Sequence, residues 1–168
     1  MHPLAATLVA LALLGGCAAG ASDAGSGDPG GGEVVRVVDG DTIVVAIGGA
    51  EERVRLIGID TPESVDPRSP VDCFGPEASA AASSLLPDGT AVRLVRDVEA
   101  RDRYDRLLAY VYKVDDGTFV NLELAERGYA EAATFPPNVA HTDEIVAAVA
   151  RARDAGLGLW GACGAPGG

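Results

Sequence analysis

The sequence predicts a mainly β, α+β domain: a five-stranded barrel with three helices packed on it. Five short runs rich in Val, Ile and Leu are divided by turn dipeptides of Asp, Gly and Pro. One helical segment falls between the third and fourth runs, and two follow the fifth. At 168 residues the chain has the length of one domain and can bury a core without help from metal or disulfide.

Val34 to Val38 is a β-branched run closed by the turn dipeptide Asp39-Gly40. Thr42 to Ile47 is the second strand and ends at Gly48-Gly49. Arg53 to Ile59 is the third, with Val54 and Leu56 on one side and Arg53, Arg55, Ile57 and Ile59 on the other. Short turns join these three into a meander. Pro62 stops the third strand and biases Thr61 toward extended backbone. Pro62, Pro67 and Pro70 mark the segment up to Cys73 as an ordered surface loop. Pro76 suits a first helical turn, with Glu77 near the positive end of the helix. That helix runs from Glu77 to Leu86 and is stopped by Pro87-Asp88-Gly89. Ala91 to Asp97 and Leu107 to Val114 are the fourth and fifth strands, and Phe119 adds a short pairing. Val120 to Arg127 is helical and ends at Gly128. Thr142 caps the last helix, Asp143 and Glu144 fill its first turn, and it runs to about Ala155 before Gly156. There is no internal repeat. This order fits an OB-fold, although pattern alone leaves a generic α+β domain open.

The ends read differently from the middle. Leu8 to Leu14 is an apolar run too short to span a membrane, and it leads into Leu14-Gly15-Gly16-Cys17. That tetrapeptide resembles a bacterial lipobox, which implies a lipid on Cys17. An ordinary secretory signal cleaved near Ala18 to Ala21 is the alternative, and export follows from both. The n-region departs from such signals, since His2 is its only potentially positive side chain. The expected organisation is a signal over residues 1–17, a flexible linker over 18–32, a domain over 33–163 and a tail over 164–168. With Cys17 lipidated, Cys73 and Cys163 remain as an even pair in an oxidising compartment, and a disulfide is the natural reading. A Cys-His catalytic pair is disfavoured because the only histidines are His2 and His141. No CxxC or HExxH spacing supports zinc.

A net charge of -12 argues against a protein that holds polyanions by bulk charge. A locally basic site on an acidic molecule remains compatible with it. Three fragments supply such a site: VVDGDTIVV with Asp41, VRLIGIDTPE with Arg55, Asp60, Thr61 and Glu63, and DRYDRLLAYVY with Asp102, Tyr104 and Arg106. Carboxylates, a carbonyl and water suit a hard cation. Planar guanidinium groups can donate two hydrogen bonds to one phosphate. Each fragment alone is weak. Asp39-Gly40-Asp41 reads equally as a hairpin turn, and DGDTIV is not an EF-hand loop. Arg55 could simply pair with Asp60 or Glu52, and Arg106 with Asp102 or Asp105.

Taken together and in this order, the fragments resemble the staphylococcal nuclease (thermonuclease-like) family, over Val34 to Trp160. The resemblance implies an OB-fold and a calcium-dependent nuclease that cleaves DNA, RNA or both with little sequence preference. It implies Asp41 and Asp60 as calcium ligands with the Thr61 carbonyl beside them. Glu63 then holds or deprotonates the attacking water, and Arg55 and Arg106 bind the phosphate. Arg103 and Tyr104 lie near the 5′-phosphate, and Asp102 holds their loop. Products carry 3′-phosphates. Two departures stand out. Asp105 and Leu107 flank Arg106 where the type member has glycines, so Asp105 is expected to weaken that arginine. The segment AATFPPN lacks the base-stacking tyrosines and leaves Phe135 as a partial substitute. Stacking contributes roughly 1–3 kcal/mol per base, so looser binding is expected. The competing readings are a non-catalytic OB-fold module binding nucleic acid or protein, and an envelope lipoprotein that binds calcium for stability. Nothing in the sequence suggests a dimer, so a monomer is expected.

Overall fold

A computed structural model describes residues 30–64 and 70–163. The expected signal and lipidation residue Cys17, most of the expected linker and the tail lie outside the described residues. β1 (Gly30–Asp39), β2 (Thr42–Ile47) and β3 (Ala50–Leu56) form the antiparallel meander. β4 (Gly58–Asp60) follows, then α1 (Gly75–Leu85), β5 (Ala91–Val95), β6 (Leu107–Lys113), α2 (Val120–Glu126), β7 (Glu131–Ala133), α3 (Thr142–Asp154) and α4 (Leu159–Ala162). Strands β1, β2, β3, β6 and β5 close into a barrel in that order, with β3 and β6 parallel and the other pairs antiparallel. This is the five-stranded OB-fold with packed helices.

The barrel closes because its strands alternate. In β5, Val92 and Leu94 are buried while Ala91 and Arg93 are exposed. The inward set of Val34, Ile43, Val45, Val54, Leu56, Val92, Leu94 and Val111 forms the core. α2 adds Val120 and Leu124, and α3 adds Ile145, Ala148 and Val149 on one stripe of the helix.

The structure departs from the sequence reading in five places. Gly30 to Gly32 fall in the expected linker, yet they pair with Leu94, Arg93 and Val92, because a strand tolerates glycine when its partner supplies the ladder. The expected third strand is two: a turn at Ile57, with Gly58 at φ 84°, redirects the chain so that β4 leaves the barrel. β4 pairs instead with β7, a strand the sequence pattern did not suggest. Thr142 is the first helical residue of α3 rather than its cap; His141 occupies the cap position without a side-chain hydrogen bond. A fourth, single-turn helix closes the described chain.

Asn121 holds the redirected segment. It is fully buried; its Oδ1 accepts from Val111 N at 2.9 Å and its Nδ2 donates to the Ile57 carbonyl at 2.8 Å. Both are backbone groups of the bend and the barrel that burial would otherwise leave unsatisfied.

Cys73 and Cys163 are disulfide-bonded, with an S–S distance of 2.14 Å, and join the start of α1 to the end of α4.

Candidate active site

Strand register brings the three sequence fragments to one end of the barrel. Thr42 lies opposite Arg55 in the β2–β3 ladder, and Arg55 lies opposite Leu108 in the β3–β6 ladder. Asp41, Arg55 and Arg106 are therefore neighbours in space although far apart in sequence. Pairing of Asp60 with Glu131 sets β4 over the same end.

Arg55 sits at the centre. Its guanidinium donates to the carbonyls of Leu56 at 2.6 Å and Ile59 at 2.9 Å. It also bridges two carboxylates, Asp60 Oδ1 at 2.6 Å and Asp41 Oδ2 at 3.0 Å. The redirection at Ile57 makes this possible, since it folds the Ile59 carbonyl and Asp60 back over the strand that carries Arg55. Asp41 is buried, and its Oδ2 also accepts from Thr61 N at 2.9 Å and Thr61 Oγ1 at 3.2 Å. A Cβ on Gly40 would come within 2.6 Å of Thr61 Oγ1, so the turn approaches Thr61 only because position 40 is glycine. Burial raises the Asp41 carboxyl to about 6, against the opposing pull of Arg55.

Asp41 and Asp60 thus face one guanidinium nitrogen from two sides. Both are hard oxygen donors, and the buried one gains from a nearby cation. The pair, with Thr61 adjoining, fits a hard divalent ion whose remaining ligands are water. No group of three His, Cys, Asp or Glu side chains is arranged for a metal among the described residues, so any such site is sparse in protein ligands.

Arg106 lines the same cleft as Arg55. Asp102 organises its loop: one carboxylate oxygen accepts from Tyr104 N at 2.9 Å and Arg106 N at 3.0 Å, the other from Arg106 Nε at 2.7 Å. Burial pushes the Asp102 carboxyl up, but the hydrogen bonds from Arg106 and Tyr104 outweigh it and hold the group below the usual carboxylate range. The Arg103 Nη2 donates to the Tyr104 hydroxyl at 2.6 Å, and the guanidinium groups of Arg103 and Arg106 lie 4.7 and 5.5 Å from the centre of the Tyr104 ring.

The cleft has a volume of about 410 Å³, and Arg55, Asp60, Arg103, Tyr104, Arg106 and Phe135 line it. Phe135 is 73% exposed on its wall, the one aromatic side chain that the AATFPPN segment offers a base. Asp41 and Thr61 lie behind Arg55 rather than on the wall. Glu63 does not line the cleft; its Oε1 accepts from Ser64 N at 2.8 Å.

Asp105, which the sequence places beside Arg106, is oriented by its own backbone and ion pair. Its backbone is left-handed at φ 64°, which explains why glycine suits that position. Its carboxylate is directed to Arg101 Nη1 at 3.5 Å, so Arg101 rather than Arg106 is its ion-pair partner. Arg101 also grips Glu52 through two hydrogen bonds of 3.1 and 3.0 Å and the Asp105 carbonyl at 2.7 Å. Arg101, Asn138 and Glu99 escaped the sequence reading. Asn138 fixes Glu99 on the cleft wall, accepting from its N–H at 2.8 Å and donating to its carbonyl at 3.2 Å. Nothing local in the sequence pairs residues this far apart.

The fold and cleft define an OB-fold protein in which arginines and carboxylates from three separate segments meet at one end of the barrel. Residues 53–162 match the family described as staphylococcal nuclease homologue. The chain is 43% identical over 127 residues to a thermonuclease of Staphylococcus intermedius, covering 76% of this chain and 74% of that protein. It is 39% identical over 128 residues to a thermonuclease of Staphylococcus hyicus, with the same shares of each chain covered. Endonuclease YncB of Bacillus subtilis is 35% identical over 130 residues, covering 77% of this chain and 61% of that protein. The chain belongs to the staphylococcal nuclease homologue family and is a nuclease.

Proposed function

We propose that the chain is a calcium-dependent phosphodiesterase hydrolysing DNA, RNA or both with little sequence specificity. The observation that carries this is the convergence of Arg55, Arg106 and Asp60 on one cleft, with Asp41 buried behind Arg55. Guanidinium groups lining one cleft meet phosphate oxygens, which carry no sequence information. Arg103 and Tyr104 extend the grip to the next phosphate, and Phe135 offers a face to a base. Asp41, Asp60 and the Thr61 carbonyl would hold the metal, and calcium bound there would supply charge screening on the phosphate and Lewis-acid polarisation.

Arg55 and Arg106 stabilise the negative charge that builds on the phosphorus oxygens as the fifth bond forms. Glu63 takes the proton from the attacking water, which adds to phosphorus in line with the departing 5′ oxygen. The P–O5′ bond breaks and the phosphate stays on the 3′ side. Arginine is a poor acid because its pKa lies above about 12, so the leaving oxygen takes its proton from solvent.

Export, as a lipoprotein through Cys17 or as a secreted monomer, agrees with the Cys73–Cys163 disulfide, a bond that persists in oxidising compartments. The test is cleavage of single-stranded DNA by purified protein in excess calcium and in chelator, with analysis of product ends. Calcium-dependent cleavage leaving 3′-phosphates is expected. Equal cleavage in chelator, or 5′-phosphate ends, would overturn the mechanism.

A further inference from the structure

Glu63 lies in a stretch without regular structure, three residues beyond the end of β4. A proton acceptor so placed needs something to fix it, since a displacement of about 1 Å can cost a hundredfold in rate. The structure supplies that fixing through one residue. The Asp72 carboxylate accepts from Glu63 N at 3.0 Å, and Asp72 N donates to the Glu63 carbonyl at 2.9 Å. Both polar backbone groups of Glu63 are thereby tied to one partner nine positions away.

Asp72 is itself anchored on both sides. Its carbonyl accepts from Gly75 N at 3.0 Å, which leads directly into α1. α1 begins against Glu63: a Cβ on Gly75 would lie 2.5 Å from the Glu63 carbonyl oxygen. The next residue, Cys73, is bonded to Cys163 at the end of α4. α4 is docked in turn, with Leu159 N donating to the Gly128 carbonyl at 2.9 Å. On its other flank, Glu63 follows Thr61, whose N–H is held by Asp41.

We propose that Asp72 is a positioning residue for Glu63, locking its main chain to the start of α1 and, through the neighbouring disulfide, to the C-terminal helix. This rests on the reading of Glu63 as the group that takes the proton from water. The lock acts on the main chain and leaves the Glu63 carboxylate its own partners. Its loss therefore moves the acceptor without changing substrate contacts at Arg55 or Arg106.

The experiment is a double-mutant cycle on the full exported protein, read by steady-state and single-turnover cleavage of single-stranded DNA in saturating calcium. Asp72→Ala is expected to lower kcat between about tenfold and a hundredfold, with KM and the pH profile of kcat little changed. Asp72→Asn keeps an acceptor for Glu63 N and is expected to restore most of the rate. In a Glu63→Ser background, Asp72→Ala is expected to have no further effect. Thermal melting runs in parallel, and Asp72→Ser replaces the alanine variant if that one fails to fold. Wild-type kcat in Asp72→Ala overturns the inference, as does an equal loss in both backgrounds. Wild-type activity in Glu63→Ser alone would instead overturn the proton-transfer reading, and this inference with it.

Discussion

The two arginines of the cleft are built in opposite ways. Arg55 projects from a barrel strand with its side chain 13% exposed, and four acceptors surround it: two carbonyls and two carboxylates. Arg106 projects from a loop with its side chain 23% exposed, held by the single carboxylate of Asp102. Arg55 is therefore also a structural cation, offsetting the desolvated Asp41, whereas Arg106 can give more of its donor capacity to the cleft. One guanidinium is locked by the fold, and the other is aimed by a loop.

The largest expected effect follows from that contrast. Arg55→Ala leaves Asp41 buried beside Asp60 with its cation removed, and stability is expected to fall by about 3–5 kcal/mol in calcium-free buffer. Arg106→Ala should cost less than about 1 kcal/mol, because Asp102 keeps its backbone donors. Chemical denaturation of both variants checks this, and equal losses would erase the distinction.

Next comes pH. Burial holds the Asp41 carboxyl at about 6 in the folded, metal-free protein, against an ordinary value of 3.8. Between those values the folded state keeps a proton that the unfolded chain has lost. The Asp41 contribution to stability is thus fully present below the lower value and is lost as pH rises through the upper one. In the proposed calcium site the metal would compete with that proton, so its affinity is expected to weaken about tenfold per unit of pH below 6. Calorimetric titration from pH 5 to 7 measures it; a flat affinity would mean Asp41 is not a ligand.

Much of this was legible in the sequence. Strand alternation marks the barrel, and the VRLIGIDTPE and DRYDRLLAYVY fragments carry most of the residues that line the cleft. The break at Ile57 was not legible. Arg53 to Ile59 reads as one continuous strand, and the bend shows in the left-handed backbone of Gly58 and the long-range hold of Asn121 on the Ile57 carbonyl. The direction of Asp105 was equally hidden. Its neighbour in sequence is Arg106, but its left-handed backbone turns the carboxylate to Arg101. The Asp72 hold on Glu63 joins residues nine positions apart, with no periodic signal in the sequence to pair them.

Smaller changes sharpen the loop side of the comparison. Asp105→Gly relieves a left-handed side chain at the cost of an exposed ion pair, and is expected to raise stability by up to about 1 kcal/mol. Its kcat should stay close to wild type, since Asp105 faces Arg101; a large gain would mean it does suppress Arg106. The smallest effect is expected from Glu99→Gln, which removes a negative charge from the cleft wall and should lower KM modestly, more at low salt. Salt-dependent kinetics read it directly.

Residues from three distant segments either act as one nuclease site or do not. Single-turnover cleavage of single-stranded DNA by wild type, Glu63→Ser and Arg106→Ala, in excess calcium and in chelator, tells the two apart most directly. The expected result is calcium-dependent cleavage by wild type and a loss of about a hundredfold or more in each variant, with melting unchanged. Wild-type rates in either folded variant would contradict it.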